Sequence, residues 1–127
     1  MAKASILLID DEQPLREVIQ QTLEANDFTV TTAANGREAL SLIGGRNFDL
    51  VLTDLIMPHM DGIELLNQLR KTHPSIPVVA MSGGGRMPPG QYLEMARNFG
   101  ARAILEKPFS SDQLVMVIGL LLSEKKS

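Results

Sequence analysis

Hydrophobic and polar positions along this chain switch between two periods, and the switch recurs five times. Short β-type runs occur at Ile6-Leu7-Leu8-Ile9, Phe28-Thr29-Val30-Thr31, Leu50-Val51-Leu52-Thr53, Val78-Val79-Ala80-Met81 and Ala103-Ile104-Leu105-Glu106. Stretches of helical period follow them. Pro14 stands at a favoured first-turn position. Leu15, Val18, Ile19, Thr22 and Leu23 then recur at i, i+3, i+4, i+7 and i+8, which predicts one buried stripe. Asn35-Gly36 opens a second helix that carries Ala39, Leu40 and Ile43 and closes at Gly44-Gly45. The turn from Met57 to Gly62 leads into a third, with Ile63, Leu66 and Leu69. Tyr92, Met95, Ala96 and Phe99 mark a fourth, with Gly100 as its C-cap. Ser110 or Ser111 caps the last. Five strands alternating with five helices predict an α/β domain, a doubly wound five-stranded parallel sheet with helices on both faces.

Composition changes this picture little. Residues 1–127 read as a single domain with a short polar tail at 124–127, and no repeat or linker interrupts them. The 44% apolar content excludes a disordered chain. A net charge of −3 without a Lys/Arg cluster argues against nucleic acid as a partner. The absence of cysteine removes disulfides and thiolate metal sites. The first residues lack the apolar core of a signal peptide, and the run from Leu114 to Leu122 is too short to cross a bilayer. The expectation is a cytoplasmic protein that does not enter the membrane.

The candidate chemistry lies where strands stop. Asp10-Asp11 ends the first run, Asp54 the third, Ser82 the fourth and Lys107 the fifth. Taken singly, each has an ordinary structural role: an Asp pair caps and turns, and a lysine before proline is a solvated loop residue. Their coincidence at one edge of a parallel sheet, where open α/β sheets bind ligands, points elsewhere. Carboxylates with one ammonium suit a divalent cation and a phosphoryl group. Mg²⁺ takes oxygen ligands and keeps waters besides one or two carboxylates. Asp54 could serve as a nucleophile, since carboxylates form covalent phosphoryl intermediates. Lys107 and Ser82 could hold phosphoryl oxygens, and Gly83-Gly84-Gly85 lets bare backbone approach.

At these residues the chain resembles the receiver domain of two-component response regulators. Three segments carry the likeness: Leu8-Ile9-Asp10-Asp11-Glu12, the stretch from Asp54 through Met57-Pro58 to Asp61-Gly62, and Lys107-Pro108-Phe109. The resemblance implies a flavodoxin-like (βα)5 sheet of order 2-1-3-4-5, with Asp54 accepting a phosphoryl group from a sensor histidine kinase or phosphotransfer protein. It implies Mg²⁺ held by Asp11, Asp54 and the backbone carbonyl of Ile56, with Asp10 contacting it through water. Ser82 and Lys107 would bind the phosphoryl oxygens, and the Lys107-Pro108 peptide would be cis.

Three departures from the family pattern matter. The switch position, usually aromatic, is Ile104, so coupling to the Ser82 hydroxyl must be weaker or take another form. Ile56 and Gly84 replace side chains that orient water for dephosphorylation, which predicts slow phosphoryl loss. The stretch from Gly83 to Gly90 is long for a strand-to-helix loop, and Arg86 could reach the site from it. On the last helix, Met116 and Leu120 point away from the stripe of Leu114, Val115, Val117, Ile118, Leu121 and Leu122. They suggest a surface, built with the fourth helix and fifth strand, that binds a downstream protein or a second copy. The expected function is a phosphorylation-dependent signalling switch, not an enzyme beyond its own phosphorylation and dephosphorylation. With the chain ending at Ser127, no effector domain is expected. Three alternatives stand beside it: a receiver module of a longer DNA-binding regulator or hybrid kinase, a phosphate-independent interaction module, and a Mg²⁺-dependent aspartyl-phosphate hydrolase. The hydrolase needs a substrate cap, for which the chain has no spare residues.

Overall fold

Strand pairing follows the five β-type runs. The computed structural model describes residues 4–55, 62–82, 94, 97, 98 and 100–126. Strands β1 (Ser5–Ile9), β2 (Thr29–Ala33), β3 (Leu50–Asp54), β4 (Val78–Ser82) and β5 (Ala103–Glu106) form one sheet of order β2-β1-β3-β4-β5. All four pairings are parallel. Among the described residues, the helices are α1 (Gln13–Ala25), α2 (Gly36–Gly45), α3 (Gly62–Thr72) and a C-terminal helix (Ser111–Lys126). Of the expected fourth helix, residues 94, 97 and 98 are described and are helical; Tyr92, Met95, Ala96 and Phe99, the loop from Gly83 to Gly90 with Gly84 and Arg86, and Ile56 fall outside the described residues.

Successive strand residues face opposite sides of a sheet, so each strand supplies two cores. Leu7, Ile9, Val51, Val78 and Ala80 meet Ala39, Ile43, Leu65, Leu66 and Leu69 under α2 and α3. Ile6, Leu8, Leu50, Leu52, Val79 and Met81 meet Ile19, Leu23, Leu114, Ile118 and Leu121 under α1 and the C-terminal helix. Every residue of β3 and β4 is buried, which is why those strands read as unbroken apolar runs rather than alternating ones.

Local chemistry sets the helix ends. Asn35 accepts a hydrogen bond from the Glu38 N–H and caps α2. Ser110, rather than Ser111, caps the C-terminal helix: its Oγ accepts from the Gln113 N–H at 3.1 Å, and Gln113 Oε1 accepts from the Ser110 N–H at 2.9 Å. That reciprocal pair is a capping box. Gly100 has φ 106°, as a residue closing a helix in the left-handed region requires.

Two sequence expectations need correction. Strand β2 begins at Thr29 and continues to Ala33, one residue later than Phe28 and two beyond Thr31. Its pairing with β1 in register, Ser5 to Thr29 through Ile9 to Ala33, draws it along. Val18 does not belong to the buried stripe of α1; it is 58% exposed. Ile19 and Leu23, spaced by four, carry the burial, and Val18 lies about 100° around the helix from Ile19.

Candidate functional site

The strand order places a crevice between β1 and β3, where the chain leaves β1 toward one sheet edge and returns to the other side. Two acids stand there. Asp10 follows the last residue of β1, and Asp54 is the last of β3; because Ile9 pairs with Thr53, the next residues on each strand are lateral neighbours. Both are buried, as is Ser82 at the end of β4. Ser82 pairs with Glu106, and the Lys107 N–H donates to the Ser82 carbonyl at 2.6 Å, so β5 delivers the lysine to the same edge.

Lys107 joins the two acids. Its Nζ lies 3.3 Å from Asp10 Oδ2 and 3.2 Å from Asp54 Oδ2, and it donates a hydrogen bond to each. Burial pushes the ammonium pKa down, but attraction to Asp54 and then Asp10, with the two hydrogen bonds, outweighs that, and the net shift is upward. The lysine is therefore charged at neutral pH. The peptide that follows it, Lys107-Pro108, is cis, as the resemblance implied.

Asp10 is fully committed. Its Oδ1 accepts from the Glu12 N–H at 2.9 Å, its Oδ2 from Lys107, and its backbone carbonyl from Arg16 Nη1 at 2.7 Å. The carboxylate thus folds the turn into α1 while facing the site. Thr53 Oγ1, buried beneath, donates to the Asp54 carbonyl at 3.0 Å and fixes the end of β3.

Four residues expected at the site, Asp10, Asp54, Ser82 and Lys107, come together at this edge. Asp11 is not in that group: it and Glu12 are both exposed, but the acids whose ligand oxygens all lie within 4.8 Å of one another are Asp10, Glu12 and Asp54. This group could hold a metal ion, and its all-oxygen donors fit a hard divalent cation. Glu12 was not singled out from sequence. The signal was the third consecutive acid, since a tight turn brings residues i and i+2 to one side. Arg16 was also missed, and nothing in its helical spacing marks it. Ile104 is half-buried and packs with the α2–α3 core, on the sheet face opposite the C-terminal helix. Met116 and Leu120 are each 59% exposed on that helix, as their spacing predicts. Among the described residues no helix is long and apolar enough to cross a membrane.

Comparison with known proteins agrees with this geometry. Residues 6–119 match the family described as response regulator receiver domain. The chain is 37% identical over 114 residues to the C4-dicarboxylate transport transcriptional regulatory protein DctD of Rhizobium meliloti, covering 90% of this chain and 24% of that protein. It is 39% identical over 129 residues to the sensor kinase CckA of Brucella abortus, covering 96% of this chain and 13% of the kinase. The chain therefore spans a quarter or less of these relatives. A CheY-like response regulator receiver domain protein from Methanospirillum hungatei has the same fold, with a TM-score of 0.91, 29% identity and 98% of each chain covered.

Proposed function

Because the chain belongs to the response regulator receiver domain family, we propose that it is a phosphorylation-dependent signalling switch with Asp54 as the acceptor. The observation that carries this reading is the single ammonium of Lys107 held between two buried carboxylates at the carboxyl edge of the sheet. An Asp54 oxygen attacks phosphorus, the O–P bond of an acyl phosphate forms, and the bond to the donor's nitrogen or oxygen breaks with its electron pair leaving on the donor. Lys107, already 3.2 Å from Asp54 Oδ2, supplies positive charge to the incoming oxygens. The Ser82 hydroxyl, at the adjacent strand end, would donate to another.

Asp10 and Asp54 would hold Mg²⁺, with Asp11 recruited from the rim and Ile56 contributing its carbonyl. When bound, the ion would neutralise repulsion between the carboxylates and the phosphoryl group. Asp10 keeps the β1–α1 turn closed so that the acids stay in place. The chemistry is confined to the protein's own phosphorylation and its reversal, so the protein is not a metabolic enzyme. A sensor histidine kinase or phosphotransfer protein is the donor, the setting is cytoplasmic, and a downstream protein or second copy meets the surface that includes Met116 and Leu120. Whether that output is carried by the 127 residues or by a longer regulator, as in DctD, does not alter the switch itself.

Intact mass after incubation with acetyl phosphate and Mg²⁺, for wild type and Asp54→Asn, tests the reading. One phosphoryl adduct that requires both Mg²⁺ and Asp54 is the expected result. An adduct that survives in Asp54→Asn would refute the assignment of the acceptor. Failure with acetyl phosphate and with histidine-phosphorylated donors alike would favour a phosphate-independent docking module.

A further inference from the structure

Glu12 sits at the N-cap of α1 with extended backbone (φ −89°, ψ 103°), yet its side chain makes no capping hydrogen bond. Glutamate is not among the residues preferred at that position, where short oxygen-bearing side chains reach the free N–H groups. Asp10 performs the local work instead, since its Oδ1 accepts from the Glu12 N–H. The Glu12 carboxylate is directed elsewhere: a ligand oxygen lies within 4.8 Å of those of Asp10 and Asp54. Among the described residues, three carboxylates then stand near one ammonium, which costs stability unless a cation relieves it.

Commitment of the other acids sharpens the point. Both Asp10 oxygens are engaged, by Glu12 N–H and by Lys107, and Asp54 Oδ2 is held by Lys107. A cation entering this edge meets Glu12 at the exposed rim, on a side chain long enough to follow it inward. We infer that Glu12 is a further carboxylate ligand of the divalent-cation site, beside Asp10, Asp54 and Asp11, and raises its affinity, directly or through a bound water. The inference rests on the proposed function, in which this edge holds Mg²⁺. Ligand charge count is a main determinant of affinity for hard cations. A role confined to the α1 macrodipole would instead affect helix stability and leave cation affinity alone.

The test is a Mn²⁺ titration of the whole chain, reading free ion by electron paramagnetic resonance, for wild type, Glu12→Gln, Glu12→Asp and Asp54→Asn. Thermal unfolding in EDTA accompanies each to confirm folding. Glu12→Gln is expected to weaken Mn²⁺ binding about tenfold, the low end for residues supporting a metal site, and Glu12→Asp to restore part of it. Glu12→Gln binding as tightly as wild type, while Asp54→Asn binds weakly, would overturn this inference and leave the proposed function standing. Asp54→Asn binding as tightly as wild type would overturn the placement of the cation itself, and the inference with it.

Discussion

Replacing Lys107 with methionine removes the cation that, among the described residues, bridges Asp10 and Asp54, while keeping most of the side-chain volume. At an effective dielectric constant of ~20, unit charges separated as Nζ is from each carboxylate attract by about 5 kcal/mol per pair. Most of that attraction offsets the desolvation of three charged groups, so the gross figure is not the net effect. Removing one partner exposes the penalty, because two buried carboxylates are left facing each other. Breaking a buried pair costs about 3–5 kcal/mol. The lysine side chain keeps 16% exposure, and that solvent contact moves the expectation to the low end, about 3 kcal/mol. For a domain of this size that lowers the melting midpoint by about 10 °C. Urea unfolding followed by circular dichroism in EDTA measures the difference, and millimolar Mg²⁺ should recover part of it by supplying the missing positive charge. The pH dependence carries a sign. The folded-state pKa of Lys107 is raised above its ordinary value. The stabilisation is therefore complete below about pH 10.4 and is lost as pH rises through the higher folded-state value. The gap between wild type and Lys107→Met should stay constant from pH 7 to pH 9 and close only at more alkaline pH. A variant as stable as wild type at pH 7.5 in EDTA would refute the claim that the lysine offsets the charge of these acids.

Other expectations follow from single residues. Gly100→Ala places a side chain at φ 106°, with its Cβ 3.3 Å from Arg70 Cδ, so it should destabilise by about 1–2 kcal/mol in urea unfolding; an unchanged midpoint would show that the backbone relaxes freely. Met116→Glu with Leu120→Glu should leave unfolding within about 0.5 kcal/mol of wild type, because both side chains are exposed. A larger loss would mean that they pack. With isoleucine at 56 and glycine at 84, the phosphoryl group on Asp54 should be lost slowly once the donor is removed. Rapid Mg²⁺-dependent decay of the adduct, followed by mass, would sink that argument.

The alternation of short apolar runs with helical stripes was enough to read the parallel sheet and the residues at its strand ends, for a physical reason. A strand buried on both faces must be apolar nearly throughout, so its first charged residue marks the rim of the core; Asp10 and Asp54 were legible for that reason, whereas Lys107 follows the charged Glu106 on a less buried strand and was legible by its place past the strand end. Boundaries set by pairing were less legible. β2 shifted toward its register with β1, and Val18 turned to solvent because helix orientation is chosen by what the sheet needs to cover. The internal wiring of the site came only with the assembled chain. Which of three consecutive acids faces Asp54 depends on how the β1–α1 turn closes, and the turn closes on a hydrogen bond from Glu12 N–H to Asp10. Spacing along the chain distinguishes Asp11 from Glu12 by a single residue. Both are exposed, and the fold separates them by bringing the Glu12 carboxylate within reach of two buried ones, because side-chain direction at a turn is set by backbone geometry rather than by residue type.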